Sequence, residues 1–233
     1  MQRLSRIILI FAILFTFLII SPALLSNQFG PYSLLKTGDV LDIFTPLILL
    51  PFYWLMLQLS PGQLPRRNEM VAFMVLAAAW AAGQGMHLSA NSIGHLLQDS
   101  MGADINDLTY FYDETLSHFI WHVGIIGLSV LLVYRQWKNP FSDQVPSLTP
   151  VIIGGVLYGS TFFLSIVEGG TGILGVPAAV LVTLFVLIWA RDRLTEMPVM
   201  TFFFAAYLLA TILFVIWTIY WGGLPEPSEV GLI

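Results

Sequence analysis

The chain has 233 residues, of which 57% are hydrophobic, 14% aromatic and only 10% charged, with 9 basic and 14 acidic side chains and a mean hydropathy of +0.83. A soluble domain carries about 25% charged residues to cover its water-facing surface, so a chain this apolar must face lipid, and its few basic residues exclude a nucleic-acid binder. The lack of cysteine excludes disulfides, thiolate metal sites, iron–sulfur clusters and cysteine nucleophiles.

A helix needs roughly 20 mostly apolar residues to cross the ~30 Å hydrocarbon core. Seven segments meet this requirement, approximately 6–25, 40–60, 69–97, 113–134, 149–168, 173–190 and 198–221. The predicted fold is therefore all-α, a polytopic bundle of seven transmembrane helices forming one integral membrane domain over residues 1–233. Arg3 and Arg6 ahead of the first apolar run resemble the start of a signal peptide, but a run of this length favours an uncleaved span. Breaks fall at Ser60-Pro61-Gly62, Asn139-Pro140, Gly169-Gly170 and Met197-Pro198. The stretch from Asn139 to Pro150 is the one connection resembling a polar linker.

Basic residues orient the bundle. Arg3, Arg6, Arg66, Arg67, Arg135, Lys138, Arg191 and Arg193 fall on one side of a seven-span alternation, and Lys36 falls on the other. The positive-inside rule places that basic side, with the N-terminus, in the cytoplasm and the C-terminus outside. The chain is thus expected to be a multi-pass protein of a plasma or inner membrane. The outer side collects Asp39, Asp99, Asp104, Asp107, Glu226 and Glu229, of which the four aspartates read as solvated loop charges.

All four histidines lie on spans three and four. His87, Asn91 and His95 recur every four residues on the third span, and Glu114, His118 and His122 do so on the fourth. Residues at i, i+4 and i+8 share a helix face, so each helix presents a polar stripe. Antiparallel pairing predicts His95 level with Glu114, Asn91 with His118, and His87 with His122. Polar side chains at membrane depth cost a few kcal/mol unless paired or hydrated, which makes two matched rows a candidate site in the outer half of the bilayer.

Imidazole and carboxylate are ligands for zinc, iron, copper and manganese. His87, His95, His118, His122 and Glu114 are the expected metal ligands, with His118 and His122 spaced to chelate one ion from a single turn. At ~1.5 Å rise per residue, His87 and His95 lie about 12 Å apart, too far to share one ion. Two ions, or one ion with a supporting histidine, fit this spacing. Asn91 and Asp113 (with Glu114) are candidates to orient the ligating imidazoles. Glu114 and Glu168 are the expected proton acceptors, and Asp42 is a further carboxylate near the outer start of span two. Ser89, Ser92 and Ser117 lie near the histidines without a nucleophile elbow around them. Gly83-Gln84-Gly85 and Gly154-Gly155 read as close helix-packing surfaces, and Trp80, Trp121, Trp217 and Trp221 as packing or interfacial residues.

Seven spans with intramembrane His, Asp and Ser resemble the membrane-embedded zinc hydrolases that include alkaline ceramidases and progestin-receptor-like proteins. That resemblance implies a His-x-x-x-His pair on the last helix, whereas His118-Phe119-Ile120-Trp121-His122 lies on span four and span seven has no histidine. No residue role is carried over. Membrane desaturases and hydroxylases use more histidine boxes, on the cytoplasmic side.

The expected function is a membrane metalloenzyme, a hydrolase or oxidase, acting on a lipid or other hydrophobic small molecule at the outer His/Glu site. Alternatives are a divalent-metal or proton transporter, a haem-binding electron carrier, and a structural subunit of an oligomer or membrane complex. The apolar inner halves of spans three and four, Met70 to Ala82 and Val123 to Tyr134, argue against a through-pathway.

Overall fold

The computed structural model describes residues 2–59, 64–97, 102–141 and 147–232, with the side chains of residues 2, 32–34 and 95 outside that description. Ser60-Pro61-Gly62, Asp99 and the middle of the Asn139–Pro150 connection therefore lie outside the described residues.

Among the described residues, seven helices are long and apolar enough to cross a membrane. They are α1 (Gln2–Leu24), α2 (Thr37–Leu59), α3 (Arg67–Leu97), the long fourth span, α6 (Leu148–Glu168), α7 (Gly172–Trp189) and α8 (Pro198–Trp221). The all-α, seven-span expectation is met. The fourth span is compound: α4 (Ala103–Tyr110) passes through a π-helical turn (Phe111–Ser117) into α5 (His118–Lys138). It thus starts well before the predicted residue 113. A short antiparallel hairpin, β1 (Gln28–Phe29) and β2 (Tyr32–Lys36), connects α1 to α2. A 3₁₀ turn at Arg191–Glu196 precedes α8, whose first residue is Pro198, where a missing N–H costs nothing.

Helix α8 packs along α6, α6 along α1, and α3 along α5. Close approach is possible where small residues meet backbone. A Cβ on Gly159 would stand 2.3 Å from Ala206 O, and one on Gly155 2.9 Å from Phe202 O. Between α3 and α5 the same device acts twice: a Cβ on Gly83 would meet Trp121 N at 2.5 Å, and one on Gly124 would meet Trp80 N at 2.7 Å. Gly83 and Gly155 confirm the predicted packing surfaces; Gly85 has open space around it.

The core is aromatic. Phe11 and Phe15 of α1, Tyr53 of α2, Tyr158 of α6 and Phe202 and Phe203 of α8 are fully buried. The Phe15 and Tyr158 rings stack at 4.3 Å, and Phe11 meets Tyr53 edge-on at 4.9 Å. Helix α1 is therefore part of the packed bundle. The outward faces carry exposed Ile13, Phe17, Leu47, Met74, Leu181, Ile188, Ile216 and Ile219. Such a perimeter is untenable in water and suited to lipid, so the chain is an integral multi-pass membrane protein in contact with lipid.

Polar groups deep in the bundle come from helices that the charge pattern did not mark. Tyr53 and Tyr158 hydroxyls lie 2.9 Å apart, and Ser129 Oγ stands 3.2 Å from the Tyr158 hydroxyl while donating to Ile125 O. Spans three and four are apolar at this depth apart from Ser129, but α2 and α6 supply hydroxyls there.

Candidate functional site

The glycine contacts set the register of the site. With backbones touching at Gly83–Trp121 and Trp80–Gly124, His87 lies level with the π-helical turn and the start of α5. His87 Nδ1 is 2.8 Å from Asp113 Oδ1, and the His87 and His118 rings are 4.7 Å apart. The predicted rungs, His87 with His122 and Asn91 with His118, are displaced by more than a turn. Spacing alone could not show this, because the offset is fixed by two glycine contacts and by a turn wider than an α-turn.

The π-helical turn places consecutive Asp113 and Glu114 on the site. Ser117 Oγ donates to the Asp113 carbonyl within this turn. Asp113 points to His87, while Glu114 Oε2 lies 3.7 Å from His118 Nδ1 at the i+4 position. π-turns inside long helices are frequent at functional sites, where they re-aim side chains.

His118 and His122 face different surroundings. Both ring nitrogens of His122 are engaged, Nε2 with Ser165 Oγ at 2.9 Å and Nδ1 with Thr171 Oγ1 at 2.7 Å. One hydroxyl accepts from the ring N–H and the other donates to the bare nitrogen, so His122 is anchored to α6 and the α6–α7 connection. The Trp121 ring stacks on it at 4.9 Å. The two histidine rings are 6.0 Å apart. Gly169 completes the wall: a Cβ there would meet His122 Cε1 at 3.0 Å and His118 Nδ1 at 3.2 Å, so a side chain would press on both rings.

The remaining polar atoms stand out by what they lack. Buried His87 Nδ1, Asp113 Oδ1, His118 Nδ1 and Trp121 Nε1 make no aligned hydrogen bond among the described residues. The His87–Asp113 contact is ion-pair close but out of line for a hydrogen bond. Buried polar atoms are ordinarily satisfied; these four lie in one cluster, and two of them, His87 Nδ1 and Asp113 Oδ1, face each other as an ion pair. Among the described residues, no three His, Asp or Glu side chains form a ready metal-holding group. His95 lies on α3, with its side chain outside the described residues.

Asp42 belongs to a neighbouring chain of contacts. Gln84 Nε2 donates to Asp42 Oδ1 at 2.6 Å, Thr45 Oγ1 does so at 3.4 Å, and Trp80 Nε1 donates to Gln84 Oε1 at 2.9 Å. Gln84 sits one turn before His87 on α3. Asp39, expected as a solvated charge, is instead buried in the first turn of α2, where it accepts from Lys36 N at 3.2 Å and Ser92 Oγ at 3.3 Å. Helix α2 starts earlier than its apolar run, which draws Asp39 into the bundle. Asp104 and Asp107 lie on α4 and not in a loop.

At the outer mouth, a cavity of about 300 Å³ is lined by Asn91, Gly94, Asn106, Asp107, Asp113 and Glu114, with Thr109 and Tyr110. Glu168 accepts from Ser228 N at 3.3 Å, which ties the C-terminal segment over the end of α6. Trp217 Nε1 donates to Pro225 O in the same fold-back. Partial burial, reinforced by the charges of Glu229, Glu114 and Glu168, pushes the Glu226 carboxyl up to about 6.

Sequence reasoning singled out His87, His118, Asn91, Asp113 and Glu114, which the structure brings together. It missed Ser165, Thr171 and Gly169, which hold His122 and His118; lone hydroxyls and glycines in apolar helices are too common to signal a site. Comparison with known proteins gives no match to any family model, curated protein or solved structure, so the site is interpreted from its geometry.

Proposed function

We propose that this protein is a membrane-embedded metal-dependent enzyme, a hydrolase or oxidoreductase, acting on a lipid or other hydrophobic substrate at the outer His/Asp/Glu site. The observation that carries this reading is the buried cluster of His87, Asp113 and His118, in which His87 Nδ1 and Asp113 Oδ1 lie 2.8 Å apart and the His87 and His118 rings 4.7 Å apart. Imidazole and carboxylate are donor types for zinc, iron and copper, and these three side chains would have to close in from their present positions to share one ion. A divalent ion there would supply Lewis-acid activation of water or dioxygen. Glu114, at the cavity and 3.7 Å from His118, would take a proton in this reading; Glu168, at the end of α6, accepts from Ser228 N of the C-terminal segment. His122 supports the site through Ser165 and Thr171, since its ring nitrogens are already engaged.

The test is elemental analysis of the detergent-purified protein beside His87→Ala/Asp113→Asn and His118→Ala/His122→Ala variants. Stoichiometric metal in the wild type, lost in the first variant, is the expected result; its absence from the wild type overturns the reading. A haem would announce itself by a Soret band, but the His87 and His118 rings, 4.7 Å apart, leave no space for a macrocycle between them. A second reading, proton or metal transport, draws on the Tyr53–Tyr158–Ser129 hydroxyls deeper in the bundle. Uptake into proteoliposomes separates it from catalysis.

A further inference from the structure

Residues 222–232 fold back from the end of α8 over the connection between α6 and α7. Gly222 makes the reversal, with φ at +72° and open space around it and Gly223, so the chain swings on two successive glycines. Beyond this hinge the segment is a small unit of its own. Glu226 N donates to Glu229 Oε2 at 3.0 Å, Val230 N to Glu226 O at 3.2 Å and Leu232 N to Pro227 O at 2.9 Å.

What it covers is thin. The connection runs Gly169-Gly170-Thr171-Gly172, and its glycines leave bare backbone where side chains would form an outer layer. The folded-back segment supplies that layer. Leu224 Cδ1 stands 2.8 Å from where a Gly172 Cβ would be, Glu226 Oε1 stands 3.3 Å from that of Gly170, and Pro227 is buried. Inside the same turn, Gly169 lies against His118 and His122, and fully buried Thr171 holds His122 Nδ1. One layer of backbone separates the segment from the two histidines.

Its attachment is slight and electrostatically opposed. Among the described residues, two hydrogen bonds join it to the bundle, Trp217 Nε1 to Pro225 O at 3.0 Å and Ser228 N to Glu168 Oε2 at 3.3 Å. The charges acting on Glu226 are all acidic: Glu229 beside it, Glu114 of the π-helical turn and Glu168 of α6, with Tyr110 of α4 in the same field. Helix α7 has no ionisable side chain and α8 only tyrosines, so neither offers a base to offset them. Docking therefore gathers carboxylates, and their mutual repulsion pushes the segment off.

We infer that residues 222–232 are a strap that closes over the α6–α7 connection when Glu226 is protonated and lifts on its glycine hinge when Glu226 is ionised, opening a way to His118 and His122 from the outer side. The sign follows from the docked carboxyl, held at about 6 against ~4.3 for a free glutamate. The closed form has its full advantage below the free value and loses it as pH rises through about 6. Between pH 5 and 7.5 the ratio of lifted to closed strap should grow about fivefold, an ideal change of roughly tenfold being trimmed by solvent screening. The strap acts whatever the site binds, so it stands apart from the metalloenzyme reading.

The experiment exploits a chain without native cysteine. The full chain carrying Pro227→Cys, at a position buried in the closed strap, is placed in phosphatidylcholine nanodiscs and labelled with a water-soluble maleimide from pH 5 to 7.5. Leu232→Cys, at a position 60% exposed, reports the intrinsic reactivity of the thiol at each pH. The Pro227→Cys rate divided by the Leu232→Cys rate should rise about fivefold across this range, and adding Glu226→Gln should hold the ratio at its low value. Because a cysteine at 227 itself perturbs the strap, hydrogen exchange at Gly170 and Thr171 is also read in the native sequence. Those amides, which donate to Val167 O and Ile166 O, should exchange beyond the intrinsic rate above pH 6, and Glu226→Gln should abolish the excess. A flat exchange excess in the native sequence, or a rise in either readout that Glu226→Gln leaves in place, overturns the inference.

Discussion

The two ends of the bundle treat buried polar groups differently. At the basic end, Arg135 is only 2% exposed, yet its Nε donates to Leu57 O at 3.0 Å and its guanidinium meets Glu69 Oε2 at 2.7 Å. Glu69 also accepts from Arg66 N, and Gln136 Oε1 accepts from Met200 N. This clamp ties α2, α3, α5 and α8 together, and Gln136 Nε2 is its one buried atom left over among the described residues. At the acidic end, four buried atoms in a single cluster lack an aligned hydrogen bond among the described residues, although His87 and Asp113 lie at ion-pair distance. The basic end is held by aligned hydrogen bonds, whereas the acidic end is held by close but misaligned polar contacts.

The sharpest way to break this comparison is Arg135→Leu. It leaves Glu69 without its buried partner, and removing one member of such a pair costs about 3–5 kcal/mol, measurable as a lower unfolding midpoint in detergent. Next is Gly83→Ala, whose Cβ would press on Trp121 N at 2.5 Å. Forcing α3 from α5 should cost about 1–3 kcal/mol, whereas Gly85→Ala, with open space around it, should not destabilise. Thr171→Val orphans His122 Nδ1 and should cost about 1–2 kcal/mol, read by the same melting curves.

At the other extreme, His87→Leu/Asp113→Leu removes both members of a misaligned ion pair. Stability should stay within about 1 kcal/mol of wild type or rise, while metal content falls. A large loss of stability there would make the acidic cluster structural and erase the contrast. The smallest effect concerns Glu226. Its folded carboxyl, at about 6, lies above the free value, so the fold favours the protonated form. Its contribution is full below ~4.3, the free-glutamate value, and is lost as pH rises through about 6. Hydrogen exchange at Ser228, whose N–H reaches Glu168, should quicken between pH 5 and 7 beyond the intrinsic rate, and Glu226→Gln should flatten that excess.

Much of the architecture was legible in the apolar runs. Six of seven spans end within a few residues of their expected limits, because hydrocarbon thickness and helix rise leave little freedom. The fourth did not, since Asp104, Asp107 and Asp113 dilute its outer turns below an apolar threshold although they are helical. The pairing of the histidine stripes was legible in kind but not in register. Periodicity says which residues share a face, and contact across helices is set by Gly83 and Gly124, whose role depends on a partner far away in the chain. The tyrosine hydroxyls were hidden because Tyr53 and Tyr158 count as apolar bulk until their hydroxyls are seen to meet.

The wide turn at Phe111–Ser117 has a consequence for how the site tolerates length changes. In a regular helix each residue turns the chain ~100° about the axis. Excising one exposed residue, such as Thr115, would let the turn relax to ordinary α-helix and leave α5 undisturbed in the bundle. Everything before it would swing round, carrying Asp113 away from His87 and Asp107 away from the mouth. The His/Asp/Glu constellation thus depends on a single surplus residue, and its loss would leave a well-folded protein with its acids facing the wrong way.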